Sequence, residues 1–99
     1  MAHVVRIPAL LIVASLALAA CAGAPVQEMS NARQAIRAAR DAGAEQTAPQ
    51  KLNEAEALLN RAEDSLERRA YREARRNAIA ARDKAAEALG AAQPGSNTG

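Results

Sequence analysis

The chain has 99 residues, a formal charge of +2 and an apolar fraction of 49%, yet Tyr71 is its only aromatic side chain. That length holds at most one small domain, and the scarcity of aromatics excludes a large aromatic-lined pocket. Most of the apolar count is alanine, the strongest helix former, and runs of β-branched residues are almost absent, so the fold class is all-α: an antiparallel helical hairpin or a small three-helix bundle after a cleaved signal peptide.

His3 and Arg6 make a weakly basic leader, Ile7 to Ala17 is apolar apart from Pro8 and Ser15, and Leu18-Ala19-Ala20-Cys21 follows. This run is short of the roughly 20 apolar residues that span a membrane. The segment Leu18, Ala19, Ala20 and Cys21 resembles the lipobox of bacterial lipoproteins, in which a branched residue and two small ones precede a cysteine that becomes the mature N-terminus. The resemblance implies that residues 1–20 are a lipoprotein signal peptide and that Cys21 carries a thioether-linked diacylglycerol. Small residues before the thiol let a peptidase grip an extended backbone, and the thiol supplies the sulfur of the thioether to the diacylglyceryl group. The competing reading is a cut by the ordinary signal peptidase that leaves Cys21 a stray thiol. It is the weaker one, because Pro25 would block a cut after Ala24 and a lone cysteine in an exported chain has no disulfide partner. Each buried methylene contributes roughly 0.8 kcal/mol, so the three acyl chains typical of such proteins, palmitate included, anchor firmly. By the sorting rule of Gram-negative lipoproteins, an Asp after the cysteine retains the protein in the inner membrane. Ala22 and Gly23 lack it, and the expected address is the outer membrane, periplasmic face, with the inner membrane second.

Beyond Cys21 the chain is nearly neutral, with twelve basic against eleven acidic side chains once Arg6 is set aside, which disfavours a dedicated polyanion binder. Residues 21–24 form a short lipidated tether, residues 25–90 an alanine-rich helical domain and residues 91–99 a disordered tail rich in Pro, Gly, Ser and Asn. The first helix is predicted from Pro25, tolerated in a first turn, to about Ala42, with Gly43 as a left-handed stop. Met29, Ala32, Ile36, Ala39 and Gly43 make its apolar stripe. Thr47-Ala48-Pro49-Gln50 matches a capping box that opens the second helix, whose seam is Leu52, Ala55, Leu59, Ala62 and Leu66. The next seam step falls on Arg69, so a boundary is expected at Arg69 and Ala70, although a continuous helix remains an alternative. The third helix runs from Tyr71 to Leu89 on a seam of Ala74, Ala78, Ala81, Ala85 and Ala88, with Gly90 as its stop. Alanine on one helix admits the leucines of its antiparallel partner. The second helix is net acidic and the third net basic, which favours pairing between them.

The chemistry-bearing residues are few. His3 leaves with the signal and the one thiol is acylated, so nucleophile-and-base catalysis and His/Cys metal sites are not expected: no enzyme, no metal, and no cofactor other than the covalent lipid on Cys21. Glu63 and Glu67 lie one turn apart and read as a solvated face, because paired carboxylates need a cleft to act on a sugar. Arg33, Arg37 and Arg40 share a face of the first helix, part of which is expected to pair with the acidic second helix. Arg68, Arg69, Arg72, Arg75 and Arg76 cluster at the expected turn and suit contact with phosphates or carboxylates of an anionic envelope surface through guanidinium forks. Export and the lack of stacking aromatics argue against nucleic acid.

Arg69-Ala70-Tyr71-Arg72-Glu73-Ala74 resembles the hairpin turn of tetratricopeptide-like repeats, without their glycine and aspartate. The lipobox, the stretch from Met29 to Ile36, the Ala48-Pro49 helix start, the second-helix seam and the stretch from Tyr71 to Ala88 together resemble a family of small alanine-rich envelope lipoproteins, domain of unknown function 4398, over most of residues 18–90. That resemblance implies an address and a helical domain without an established activity. The expected role is a non-enzymatic outer-membrane lipoprotein, a docking or structural module that faces the periplasm, is held to the membrane by its lipid, and contacts an envelope protein or peptidoglycan. The alternative is a coiled-coil spacer resembling the murein lipoprotein, a homo-oligomer associated non-covalently with peptidoglycan.

Overall fold

The computed structural model describes residues 23–93, and every regular element among them is helical. Four elements follow in order: α1 Val26–Asp41, the single turn α2 Ala44–Thr47, α3 Pro49–Glu67 and α4 Tyr71–Ala92. The lipobox residues Leu18, Ala19 and Ala20, the lipidation site Cys21 and the tail from residue 94 onward lie outside the described residues. No described helix is long and apolar enough to cross a membrane.

Each chain reversal has a local cause. Gly43 lies in the left-handed region at φ 90°, where it ends α1 by donating its N–H to the Arg40 carbonyl and opens α2 with its own carbonyl. A side chain there would make an ordinary contact with Gln46, 3.8 Å away, but would be strained by the backbone. Ala48, at φ −146° and ψ 54°, lies outside the helical region, which a following proline disfavours for it, and Pro49 starts α3 where its missing N–H costs nothing.

The expected capping box does not form. Thr47 is drawn into α2 and its hydroxyl donates to the Gly43 carbonyl at 3.1 Å, which leaves Ala48 as the residue before α3 and no side chain capping that helix.

The boundary expected at Arg69 is present, so α3 and α4 are separate helices. Arg69 has φ 61°. Its N–H donates to the Leu66 carbonyl at 3.0 Å, and the Ala70 N–H reaches back to Ser65 at 2.8 Å. This pair of bonds is a Schellman ending, with arginine standing where glycine is usual.

The topology is a three-helix bundle with α4 in the middle. α3 and α4 form the antiparallel hairpin. α1 is antiparallel to α3, because Arg33 pairs with Glu63 and the later Arg40 with the earlier Glu56, and it is therefore parallel to α4. α1 and α3 each pack extensively on α4 and much less on one another.

The reason lies in the side chains. Ala74, Ala78, Ala81, Ala85 and Ala88 are all fully buried, and a stripe of methyl groups lets two helices approach α4 closely. Met29, Ala32, Ile36 and Ala39 of α1 are buried as the spacing predicts. On α3 the seam is shifted: Leu52, Ala55 and Ala62 are buried, Leu59 and Leu66 only partly, and Ser65 takes an interior place. Straddling a narrow alanine stripe, the larger leucines cannot enter fully. Among the described residues, only Met29, Ile36 and Leu52 of the large apolar side chains are buried, and Val26 is exposed.

Gly90 does not stop α4, which continues to Ala92. Leu89 and Ala92 pack on the core formed by Ile36, Leu52, Ala85 and Ala88, and that contact carries the helix past the glycine.

Candidate functional site

Two surfaces gather the side chains capable of recognition. The first is the end of the bundle where α1 begins, α3 finishes and α4 begins. There the backbone turn at Arg69 and the first two turns of α4 bring together the five arginines predicted from sequence, but they divide into two kinds.

Arg68 and Arg75 are structural. Arg68 lies 3.1 Å from Asp64 and 3.8 Å from Glu73, bracketing the turn. Arg75 is the most buried of the ion-paired arginines; its Nε is 3.4 Å from Glu28 of α1, and its Nη2 donates to the Gly23 carbonyl at 3.2 Å. One guanidinium thus fixes both the first turn of α1 and the chain entering it.

Arg69, Arg72 and Arg76 are exposed and make no ion pair among the described residues. Arg72 and Arg76 are one turn apart on the side of α4 opposite its alanine seam, so no helix of the bundle covers them. Tyr71 stands half-buried beside them, and Val26, 70% exposed, opens α1 at the same end.

The second surface is the valley left because α1 and α3 touch each other so little. It is an open groove of about 530 Å³, with Ile36 and Leu59 at its floor and Arg33, Arg37, Arg40, Glu56 and Asn60 along its sides. Arg33 donates to Glu63 at 3.2 Å across it, and Arg40 pairs with Glu56 and, at 3.8 Å, with Glu45. Such exposed pairs contribute about 0.2–1 kcal/mol each; they set the register of α1 against α3 more than its stability. Arg37, between them, is exposed and has no ion pair among the described residues. The expectation that the α1 arginine face pairs with the acidic helix therefore holds for two of its three members.

The charge match expected between α3 and α4 is carried, among the described residues, by one direct pair of an α3 acid with an α4 base, Lys84 with Glu54 at 3.3 Å, and Lys84 also lies 3.4 Å from Glu87. Its pKa is raised above the ordinary lysine value, first by the hydrogen bond to Glu54 and then by the Glu87 carboxylate. Of the other cations of α4, Arg75 turns to α1, and Arg72 and Arg76 fall on the outer side of the helix.

Glu63 is engaged by Arg33, and Glu67 is exposed on the outside of α3. Their separate surroundings give no shared cleft. Among the described residues no group of three His, Cys, Asp or Glu side chains is placed to hold a metal ion.

Sequence reasoning found the arginine cluster but not the clamp inside it. The Arg75–Gly23 contact spans 52 positions, and it follows only from α1 being parallel to α4.

A family model described as Domain of unknown function (DUF4398) matches residues 27–96, from the first turn of α1 past the end of α4. No curated protein and no solved structure matches the chain.

Proposed function

The chain belongs to the DUF4398 family, and on that premise we propose that it is a non-enzymatic lipoprotein anchored through Cys21 in the outer membrane, periplasmic face, where its helical bundle docks another envelope component. The observation that carries the docking role is the α1–α3 groove. Its floor is apolar, with Leu59 only partly covered, and Arg37 supplies a cation that no side chain of the bundle pairs with among the described residues. A segment with apolar and acidic side chains suits that combination, since burial of Leu59 contributes affinity and Arg37 fixes register. The address rests on the lipobox-like residues Leu18 to Cys21 and on Ala22 and Gly23, which lack the Asp of inner-membrane retention.

Photo-crosslinking in cells tests the docking role. A crosslinker at Asn60, on the groove, is expected to yield a defined adduct that the variants Arg37→Glu and Leu59→Ser lose, whereas a crosslinker at exposed Gln50 on α3 yields none. Equal patterns at Asn60 and Gln50 would sink the assignment of the groove.

A further inference from the structure

The bundle fixes where its own anchor must lie. Gly23 is held by Arg75 one turn into α4, and Cys21 precedes Gly23 by two residues. At roughly 3.3–3.6 Å per extended residue, the Cys21 Cα lies within about 7 Å of the Gly23 Cα. Lipid carried on Cys21 therefore enters the membrane beside the α3–α4 turn, and the Gly43 end of the bundle, a full helix length away, points elsewhere.

Three independent features of this end suit a lipid surface. Arg69, Arg72 and Arg76 face outward without ion pairs among the described residues. Val26, the exposed large apolar side chain among the described residues, and Tyr71, an amphipathic ring of the kind that favours membrane interfaces, lie at the same end. The charges are also polarised along the bundle. Residues 26–36 and 58–80 carry seven cations against five carboxylates, while residues 37–57 and 81–93 carry five against six.

Resting on the reading of Cys21 as acylated, we propose that this end is a membrane-contact surface on which Arg69, Arg72 and Arg76 bind the phosphates of anionic phospholipids in the leaflet that holds the anchor. The acyl chains supply attachment, and the arginines supply orientation, presenting the rest of the bundle away from the bilayer. Each arginine near an anionic surface favours contact roughly fivefold, so three together favour the docked orientation on the order of a hundredfold over a neutral bilayer.

Tyr71 is the sole tyrosine in a chain without tryptophan, so its fluorescence reports this end without a label. The lipidated full-length product is reconstituted in phosphatidylcholine vesicles and in vesicles containing about 30% phosphatidylglycerol, and acrylamide quenching of Tyr71 is measured in each. The expected result is quenching reduced severalfold by phosphatidylglycerol, restored by about 0.5 M salt, and restored in the triple variant R69Q/R72Q/R76Q, which stays vesicle-bound and helical. Equal quenching in the two vesicle types, or a triple variant that behaves as the parent, overturns the arginine surface while leaving the anchor intact. A product that lacks the diacylglycerol mass on Cys21 and fails to float with phosphatidylcholine vesicles overturns the anchor, and the proposal with it.

Discussion

Replacing Arg69 with glycine is expected to stabilise the bundle. Arg69 holds φ 61°, a left-handed conformation in which a Cβ costs an L-residue roughly 1–2 kcal/mol. Glycine escapes that cost but loses about 0.5–1 kcal/mol more through the greater freedom of its unfolded chain. The two hydrogen bonds that close the turn, Arg69 N–H to Leu66 and Ala70 N–H to Ser65, are made by the main chain and survive the change. The arginine side chain makes no ion pair among the described residues that the substitution would forfeit. The net gain is about 0.5–1 kcal/mol, which for a domain of this size raises the melting temperature by about 2–8 °C. Arg69→Ala is the control: it removes the same charge and keeps the left-handed Cβ, so it should stay within about 0.5 kcal/mol of the parent. Thermal and denaturant unfolding of the chain from Ala22, followed by far-UV circular dichroism, reads both. A glycine variant no more stable than the alanine variant would refute the reasoning, since it would mean that the turn does not hold Arg69 in the left-handed region.

Ser65 is 1% exposed and its hydroxyl has no hydrogen-bond partner among the described residues; Ser65→Ala removes that desolvated group and improves helix propensity, and should stabilise by about 0.5–2 kcal/mol in the same unfolding assay. Ala81→Leu places three extra carbons in the seam where α1 and α3 both meet α4, and should destabilise by about 1–3 kcal/mol, whereas the same change at exposed Ala86 should be near neutral. Lys84 binds its proton more tightly in the folded state than in the unfolded one. Its contribution is therefore complete below the ordinary lysine pKa and is lost as pH rises through the higher folded value. Lys84→Met should lower the neutral region of the stability profile by that contribution and flatten its alkaline limb, where the parent has already lost it.

The helices and the alanine face of α4 were legible because a 3,4 spacing survives any packing arrangement. All five alanines predicted for that face are buried, and the turn at Arg69 is where the seam step ran into a charged residue. The seam of α3 was legible only in outline. Leu59 and Leu66 lie on one side of the seam and Ser65 about 100° around from Leu66, and which side turns inward depends on how narrow the facing stripe is, a property of the neighbour. The capping box failed for a related reason: Thr47 had two uses, and the preceding Gly43 turn claimed it. At the arginine end, the sequence grouped five side chains of one type, but their division into a structural pair and three outward-facing cations depends on Glu28, Asp64 and Gly23. Asp64 lies one turn before Arg68 in the chain, but Glu28 and Gly23 meet the cluster only after the helices have assembled.

The clamp between Arg75 and Gly23 also bears on how the bundle answers a mechanical load. Tension on the chain start divides between two routes, the covalent backbone into α1 and the guanidinium on α4. Because α1 and α4 run in the same direction, a pull along their axes shears the alanine seam and strains its contacts together, where a pull across the helices would peel them apart one at a time. A domain tethered at this point resists detachment forces in its stronger direction.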